Sequence, residues 1–200
     1  MHAETLLPAI LHDLHQAHPS ILIEVDTADE LRDLGSGIAD IALRNWKTPG
    51  GAGLVGRRVA SDLWAVYCSR DYAERHGLPR NRRALAEHDF IGGGEPAVWR
   101  MYREWLVEMG LEGRITVQHG SSTGLLAAVR AGSGLAVLPC IVAEQDAALV
   151  RCLPPTDSPR RELWLLTHER VRHVPRVRTV IDFLAERLQR LAAAVPVARE

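Results

Sequence analysis

Apolar residues recur along the chain at two spacings, and each spacing predicts a kind of element. Between Leu7 and Leu14 they follow the i, i+3, i+4, i+7 pattern of an amphipathic helix. Pro8 fits the first turn of that helix, and His18-Pro19 ends it, because proline has no backbone N–H to continue the ladder. The chain is therefore predicted to open with a helix that buries one face.

A β-α-β unit is predicted next. Residues 21–25 have the composition of a strand, residues 29–34 that of a short helix ending at Gly35, and residues 38–43 that of a second strand. Strands joined by a crossover helix pair in parallel. The pattern therefore predicts an α/β fold with a parallel sheet.

Strands and helices continue to alternate through the rest of the chain. Residues 63–68 are apolar on both faces, which predicts a central, fully buried strand. An apolar stripe from Val177 to Leu191 predicts a final helix. Further strands are predicted at residues 54–59, 90–91, 115–117, 135–138, 149–153 and 163–166, and further helices at 71–76, at 99–109 with Gly110 as cap, and at 125–129.

Composition and charge narrow the class of protein. Hydrophobic residues make up 46% of the chain and charged residues 24%, which is typical of a globular protein and excludes a wholly disordered one. A length of 200 residues suits one α/β domain or two small lobes. Because the chain has 24 basic and 25 acidic residues, it lacks the basic excess of a free-standing nucleic-acid binder.

The cysteines and the apolar runs bear on the compartment. An odd count of three, Cys68, Cys140 and Cys152, at wide spacing argues against a disulfide framework and for a reducing compartment. Cys68 and Cys140 lie in apolar runs and are interpreted as buried packing residues. Since no apolar stretch has the length of a membrane span and no signal peptide is readable, we expect a cytoplasmic protein without membrane contact.

Three hydroxyl residues lie where a strand is predicted to end and a helix to begin. Ser121, Ser122 and Thr123 occupy this turn. A helix N-terminus presents N–H groups without internal partners and a partial positive charge, so it binds carboxylates or phosphates. Hydroxyls here either bind such a ligand or cap the helix, and for any one of them capping is at least as good an explanation.

Other candidate ligand residues follow predicted strands. Arg44, which could clamp a carboxylate, and Trp46, which could line a pocket, come after the strand at 38–43. Thr27 follows the strand at 21–25, although it could equally cap the next helix. Gly93, within Gly92-Gly93-Gly94, would let backbone approach a ligand or serve as a flexible connector.

Two enzymatic or metal-binding interpretations compete with ligand sensing. Gly120-x-Ser122-x-Gly124 matches a nucleophile elbow, and Asp157 and His168 follow in hydrolase order, but His168 lies at an apolar strand and not on a late loop. His12 and His15 could chelate a metal from one helix face, although a solvated face explains them better. No phosphate-binding or dinucleotide fingerprint occurs, so no cofactor is expected. Because the hydrolase and metal interpretations are the weaker ones, we also expect no metal ion and no enzymatic activity.

Five segments, in this order, resemble the effector (substrate)-binding domain of LysR-type transcriptional regulators. Each is common by itself, whereas the series covers most of the chain. They are LLPAILHDLHQAHPSILIEV, ELRDLGSGIADIALR, SRDYAERHGLP followed by LAEHDFI, STGLLAAVRAGSGLAVLP, and RRELWLLTHERVRHVPRVRTVIDFL.

The resemblance implies a fold. Such domains are two-lobed, periplasmic-binding-protein-like (type 2) α/β structures with two crossover strands and an interlobe cleft. The buried strands at 63–68 and 163–166 would be the crossovers. Lobe I would then be discontinuous, with residues 1–67 plus 166–200, and lobe II would comprise residues 68–165.

The resemblance also implies a function and partners. A small-molecule effector would bind between the lobes, and the candidate residues indicate that it is anionic. The first helix and residues 21–25 would form the interface of a homodimer or tetramer. DNA would be bound only through a winged helix-turn-helix that these residues lack, and the domain's first strand is also expected to be missing. A stand-alone solute-binding protein is the second hypothesis, and a serine hydrolase the third.

Overall fold

A computed structural model describes residues 1–27, 34–46, 51–93 and 96–196, with the side chains of residues 46, 96–101 and 156–161 excepted. These residues form two compact units. The inserted unit is Leu63–Pro159, and the terminal unit joins His2–Asp62 to Arg160–Pro196. The short helix predicted at residues 29–34 lies outside the described residues except for its last position, which opens the 3₁₀ turn Leu34–Ser36.

The helices and strands alternate along most of the chain. The helices are α1 (His2–Ala17), α2 (Arg70–His76), α3 (Pro96–Glu108), α4 (Ser122–Arg130), α5 (Cys140–Ala143) and α6 (Pro175–Ala193). The strands are β1 (Ile41–Trp46), β2 (Leu54–Ser69), β3 (Phe90–Gly93), β4 (Ile115–His119), β5 (Ala136–Pro139), β6 (Leu149–Arg151) and β7 (Thr156–His168). Their order confirms most of the predicted elements, and α5 is an addition that the sequence pattern did not predict.

The first helix begins earlier than predicted. Its buried face includes Ile10 and Leu14, as expected from the apolar spacing, and it ends at Ala17 just before His18-Pro19. Because α1 starts at His2, Pro8 lies inside the helix and not in its first turn. The missing N–H of Pro8 therefore costs the helix one internal hydrogen bond.

The predicted strand at residues 21–25 is wrong. Residues 21–27 form no strand, and Leu22 is 98% exposed. A strand needs a neighbour for its backbone N–H and C=O groups, and no described strand pairs with this segment. Its β-branched composition alone could not supply that neighbour.

The parallel sheet predicted around residues 38–43 is also wrong. Here β1 pairs with β7 in antiparallel register, Ala42 opposite Leu166. β2 likewise pairs antiparallel with β5 and with β6. The sheet order is β1-β7-β2-β5, with β6 beside β2 as well.

The strand β2 is longer than predicted. Its 16 residues run without a break, whereas two separate strands were predicted at residues 54–59 and 63–68. Its first part, to Asp62, belongs to the terminal unit, and its second part, from Leu63, to the inserted unit. Residues Ala65–Ser69 are buried, as predicted for a central strand.

Parallel pairing does occur in the inserted unit, between β3 and β4. Phe90 lies opposite Ile115, and Gly93 opposite His119. α3 and α4 pack on this pair, and the buried Tyr102 hydroxyl of α3 donates to the Ile91 carbonyl at 2.6 Å. The carboxyl ends of both strands consequently lie at one edge, next to the start of α4.

A buried histidine links α2 to the segment before β3. His88 is 7% exposed, and its Nδ1 lies 3.2 Å from the Tyr72 hydroxyl. Its backbone carbonyl accepts a hydrogen bond from Arg114 Nε at 3.0 Å. Burial, which disfavours the charged imidazolium, lowers the pKa of His88 below its usual value.

This lowered pKa predicts a loss of stability in mild acid. Below about pH 6.5 the unfolded chain binds a proton at His88 that the folded chain resists, so the free energy of unfolding falls as the pH decreases. His88→Gln should reduce the fall between pH 7.5 and 5.5, measured by urea denaturation. The same change at the exposed His173 is the control, and an equal pH dependence in wild type and His88→Gln would contradict the prediction.

Candidate functional site

The N-terminus of α4 lies at the carboxyl edge of the parallel pair β3–β4. Ser121, in extended conformation, is its N-cap, and the Ser121 hydroxyl accepts a hydrogen bond from the Gly124 N–H at 3.1 Å. Helix geometry leaves the N–H groups of the next residues, Ser122 and Thr123, without an i−4 carbonyl. This edge therefore has the polarity that attracts an anion.

The three predicted hydroxyl residues differ in their surroundings. Ser121 is exposed and caps the helix, which is the structural role considered from sequence, but its own O–H can still donate outward. Ser122 is 3% exposed and Thr123 is exposed. Ser121 and Thr123 are thus the hydroxyls that solvent, and hence a ligand, can reach.

His119 is part of this edge and was missed in the sequence. It is the last residue of β4 and half-buried. A Cβ added to Gly124 would lie 2.9 Å from His119 Nδ1. The imidazole therefore lies against the first turn of α4. The sequence could have suggested this position, because His119 is the last residue of its strand and lies two residues before the N-cap. A protonatable ring here adds a second group suited to a carboxylate.

Gly93 reaches the same edge from β3. It is paired in register with His119 and half-buried. Gly93 also borders a depression of about 480 Å³ whose lining includes Tyr102, Arg103 and Gln118. The structure thus brings Gly93 together with the residues at the start of α4, while Gly94 lies outside the described residues.

Arg44 and Trp46 have a different setting from the predicted one. They were placed after a strand, but both lie within β1, which extends to residue 46 because it pairs with β7 up to Glu162. Arg44 is half-buried and lies opposite Trp164. The indole Nε1 of Trp164 is buried and has no hydrogen-bond partner in the described part of the chain.

The structure gives little information on the surroundings of Thr27 and of the Trp46 side chain. Thr27 is exposed at the end of the segment 21–27, which has no regular structure. The side chain of Trp46 lies outside the described residues. Their role in ligand binding stays a prediction.

A buried acid in the terminal unit, Asp62, lies where β2 continues between the two predicted strands. The Asp62 side chain is fully buried, it accepts a hydrogen bond from Asn45 Nδ2, and its Oδ2 lies 3.0 Å from His2 Nε2. Polar neighbours on β1 and α1 thus compensate for taking the carboxylate out of water. Asp62 is a packing residue whose partners the sequence could not identify.

The geometry gives the hydrolase alternative no support. A nucleophile must be accessible to its substrate, and Ser122 is buried at the first position of α4. His168 ends β7, and its Nδ1 accepts from the backbone N–H of Arg170 at 3.2 Å. The Asp157 side chain lies outside the described residues.

Two further features bear on the kind of site. Within the described ranges, no three His, Cys, Asp or Glu side chains come together in a way that could hold a metal ion. Among the helices of those ranges, none has the length and apolar character needed to cross a membrane. The α4 edge thus remains the candidate site with the clearest geometry.

Comparisons with known proteins point in one direction. The model of the LysR substrate-binding domain matches residues 1–189. A curated HTH-type transcriptional regulator from Xanthomonas campestris pv. campestris (strain 8004) is 33% identical over 84 residues, which are 42% of this chain and 24% of that protein. The match therefore spans about a quarter of the relative.

Solved structures agree on the fold. The regulatory domain of CrgA, a LysR-type transcriptional regulator from Neisseria meningitidis, is 20% identical with a TM-score of 0.76, covering 94% of each chain. The AmpR effector-binding domain from Citrobacter freundii is 17% identical with a TM-score of 0.70, again covering 94% of each chain.

The described elements and the solved structures together define a mixed α/β domain. More specifically, the chain belongs to the LysR substrate-binding domain family. The predicted fold class, mixed α/β of the periplasmic-binding-protein-like type 2, is confirmed by the likeness to LysR regulatory domains.

The position of His119 against Gly124 predicts a measurable coupling. Ala at position 124 should favour the helix intrinsically by roughly 0.5–1 kcal/mol, but its Cβ would clash with the His119 ring. We expect Gly124→Ala to destabilise the wild type and to stabilise His119→Ala.

A double-mutant cycle by urea denaturation measures this coupling, with an expected size of about 0.5 kcal/mol or more. Ala127→Gly, on the exposed side of α4, controls for helix propensity alone. Additive effects of the changes at positions 119 and 124 would refute the contact.

Proposed function

We propose that this chain is the effector-sensing domain of a LysR-type transcriptional regulator and that it binds a small anionic metabolite. The observation that carries the proposal is the α4 edge, where a helix N-terminus, two accessible hydroxyls and an imidazole lie at the carboxyl ends of parallel strands. Ligands of open α/β sheets bind at such edges. Membership of the LysR substrate-binding domain family supports the same function.

The chemistry of the edge favours a carboxylate. The first N–H groups of α4 point towards the edge, and the helix dipole gives it a partial positive charge. Ser121 and Thr123 would donate hydrogen bonds from their hydroxyls, and Gly93 would let the ligand approach backbone closely. Ser122, being buried, would act by holding the turn in place.

The terminal unit has a candidate ligand residue of its own. Arg44 stays a candidate because a guanidinium binds carboxylates in a bidentate manner. Thr27 and Trp46 remain candidates on the strength of the family resemblance.

The whole regulator would use this domain as its sensor. The curated relative is named as an HTH-type transcriptional regulator, and the matched segment is 24% of its length. We propose that DNA is bound by a helix-turn-helix outside these 200 residues, and that the regulator is a cytoplasmic homodimer or tetramer. Leu22 and Val25, which follow α1 in the chain, expose their apolar side chains. This exposure supports an interface at α1 and residues 21–25.

Ligand binding is tested by thermal shift of the purified chain against a panel of carboxylic acids, amino acids and aromatic acids. A ligand at 100 times its dissociation constant adds about 2.7 kcal/mol of stability, which raises Tm by several degrees. We expect Thr123→Val to remove most of that shift, because it deletes a proposed donor.

Thr116→Val is the matched control, since Thr116 is an exposed hydroxyl on β4 away from the carboxyl edge. It should keep the full shift. A shift that survives Thr123→Val unchanged would place the ligand elsewhere and refute the proposed site.

A further inference from the structure

Two cysteines that are far apart in sequence meet in the inserted unit. Cys68 and Cys152 are 84 residues apart, yet their Sγ atoms lie 3.5 Å from each other. Cys68 lies on β2 opposite Val150 of β6, and the Cys152 N–H donates to the Val66 carbonyl at 2.8 Å. Cys152 therefore continues the ladder just beyond the end of β6, on the same face as Cys68 and diagonal to it.

The two thiols differ in access and in acidity. Cys68 is fully buried, whereas Cys152 is half-buried, so small molecules reach the pair from the Cys152 side. The hydrogen bond from the Cys152 thiol lowers the pKa of Cys68, and the same contact raises the pKa of Cys152. Two thiols in contact, one of lowered pKa and one within reach of solvent, are an arrangement from which a disulfide can form. Cys140, the third cysteine, is buried and forms no disulfide.

We propose that Cys68 and Cys152 form a redox site that a hydroperoxide converts reversibly into an intramolecular disulfide. One sulfur of the pair gives up its proton and attacks one peroxide oxygen, the O–O bond breaks, and the alkoxide leaves as the alcohol after taking up that proton. The resulting sulfenic acid is attacked by the second sulfur, its S–O bond breaks, and water leaves. The two sulfurs lose two electrons in all, and these reduce the hydroperoxide to alcohol and water.

Closing the disulfide requires movement on one side of the pair. Diagonal neighbours in an antiparallel ladder have Cα atoms about 7–8 Å apart, whereas a disulfide usually spans about 4.4–6.8 Å. Cys68 is held within β2, but Cys152 follows the last residue of β6 and leads into Leu153 and Pro154. The bond would therefore draw residue 152 towards β2 and displace the start of the segment that leads into β7.

A matched set of variants tests the site. Cys140→Ser leaves only the pair, and Cys140→Ser/Cys152→Ala leaves Cys68 alone. Each 200-residue protein is treated with hydrogen peroxide, and its thiols are counted with Ellman's reagent after denaturation. Intact mass and a non-reducing peptide map identify the product.

We expect Cys140→Ser to lose both thiols and two hydrogen atoms in mass, with a peptide that links residues 68 and 152. Dithiothreitol should restore both thiols. The Cys140→Ser/Cys152→Ala protein should form no intramolecular link. Because Cys152 is half-buried, this change should preserve folding, which circular dichroism checks.

Three results would overturn the proposal. Both thiols of Cys140→Ser could survive peroxide, oxygen atoms could be added without loss of hydrogen, or the disulfide could join two chains. In wild type, a link that involves Cys140 in place of Cys68 or Cys152 would overturn it as well.

Discussion

The long strand β2 is the constraint on which much of the structure depends. At Tyr67 it pairs on both sides, with Ala136 of β5 and with Arg151 of β6, so its register cannot slip without breaking two ladders at once. The side chains that leave this stretch are therefore held in fixed positions. Tyr67 donates to Glu144 at 2.8 Å, and Ser69 accepts from the Tyr72 N–H at 3.1 Å to cap α2.

The α4 edge depends on a second, smaller sheet. Only two strands, β3 and β4, make up this sheet, and their parallel pairing places Gly93 level with His119. An antiparallel pair would have put these two residues at opposite ends. The tight packing below the edge, where a Cβ on Gly134 would come within 2.7 Å of the Asp89 carbonyl, fixes how the turn before β5 passes β3. The proposed ligand-binding edge thus has a tightly packed base.

The sequence was sufficient where local periodicity decides the outcome. The stripe from Val177 to Leu191 predicted α6, the all-apolar run predicted the buried half of β2, and Gly120 to Gly124 predicted a strand–turn–helix. Family resemblance supplied the fold class. The same local signals identified Ser121 as both a cap and a candidate ligand residue, and it is a cap.

The sequence was insufficient where a neighbouring strand decides the outcome. Residues 21–25 have a strand composition but pair with no strand in the described part of the chain, and Arg44 lies inside β1 because β7 pairs with it to the end. His119 and the pair Cys68–Cys152 are contacts between elements distant in sequence, so no spacing along the chain predicts them. The odd number of cysteines argued against a disulfide framework, but the number alone does not show which two cysteines meet.

The segment 21–27 has a practical consequence for handling the protein. Proteases bind their substrates as extended chains with unpaired backbone, and this segment has no regular structure, with Glu24 exposed near its middle. A glutamate-specific protease should therefore nick the folded protein after Glu24 before it cuts the glutamates within helices. The nicked α1 would then be held by its packing on α6 and by the ion pair between Asp13 and Arg187, 3.1 Å apart.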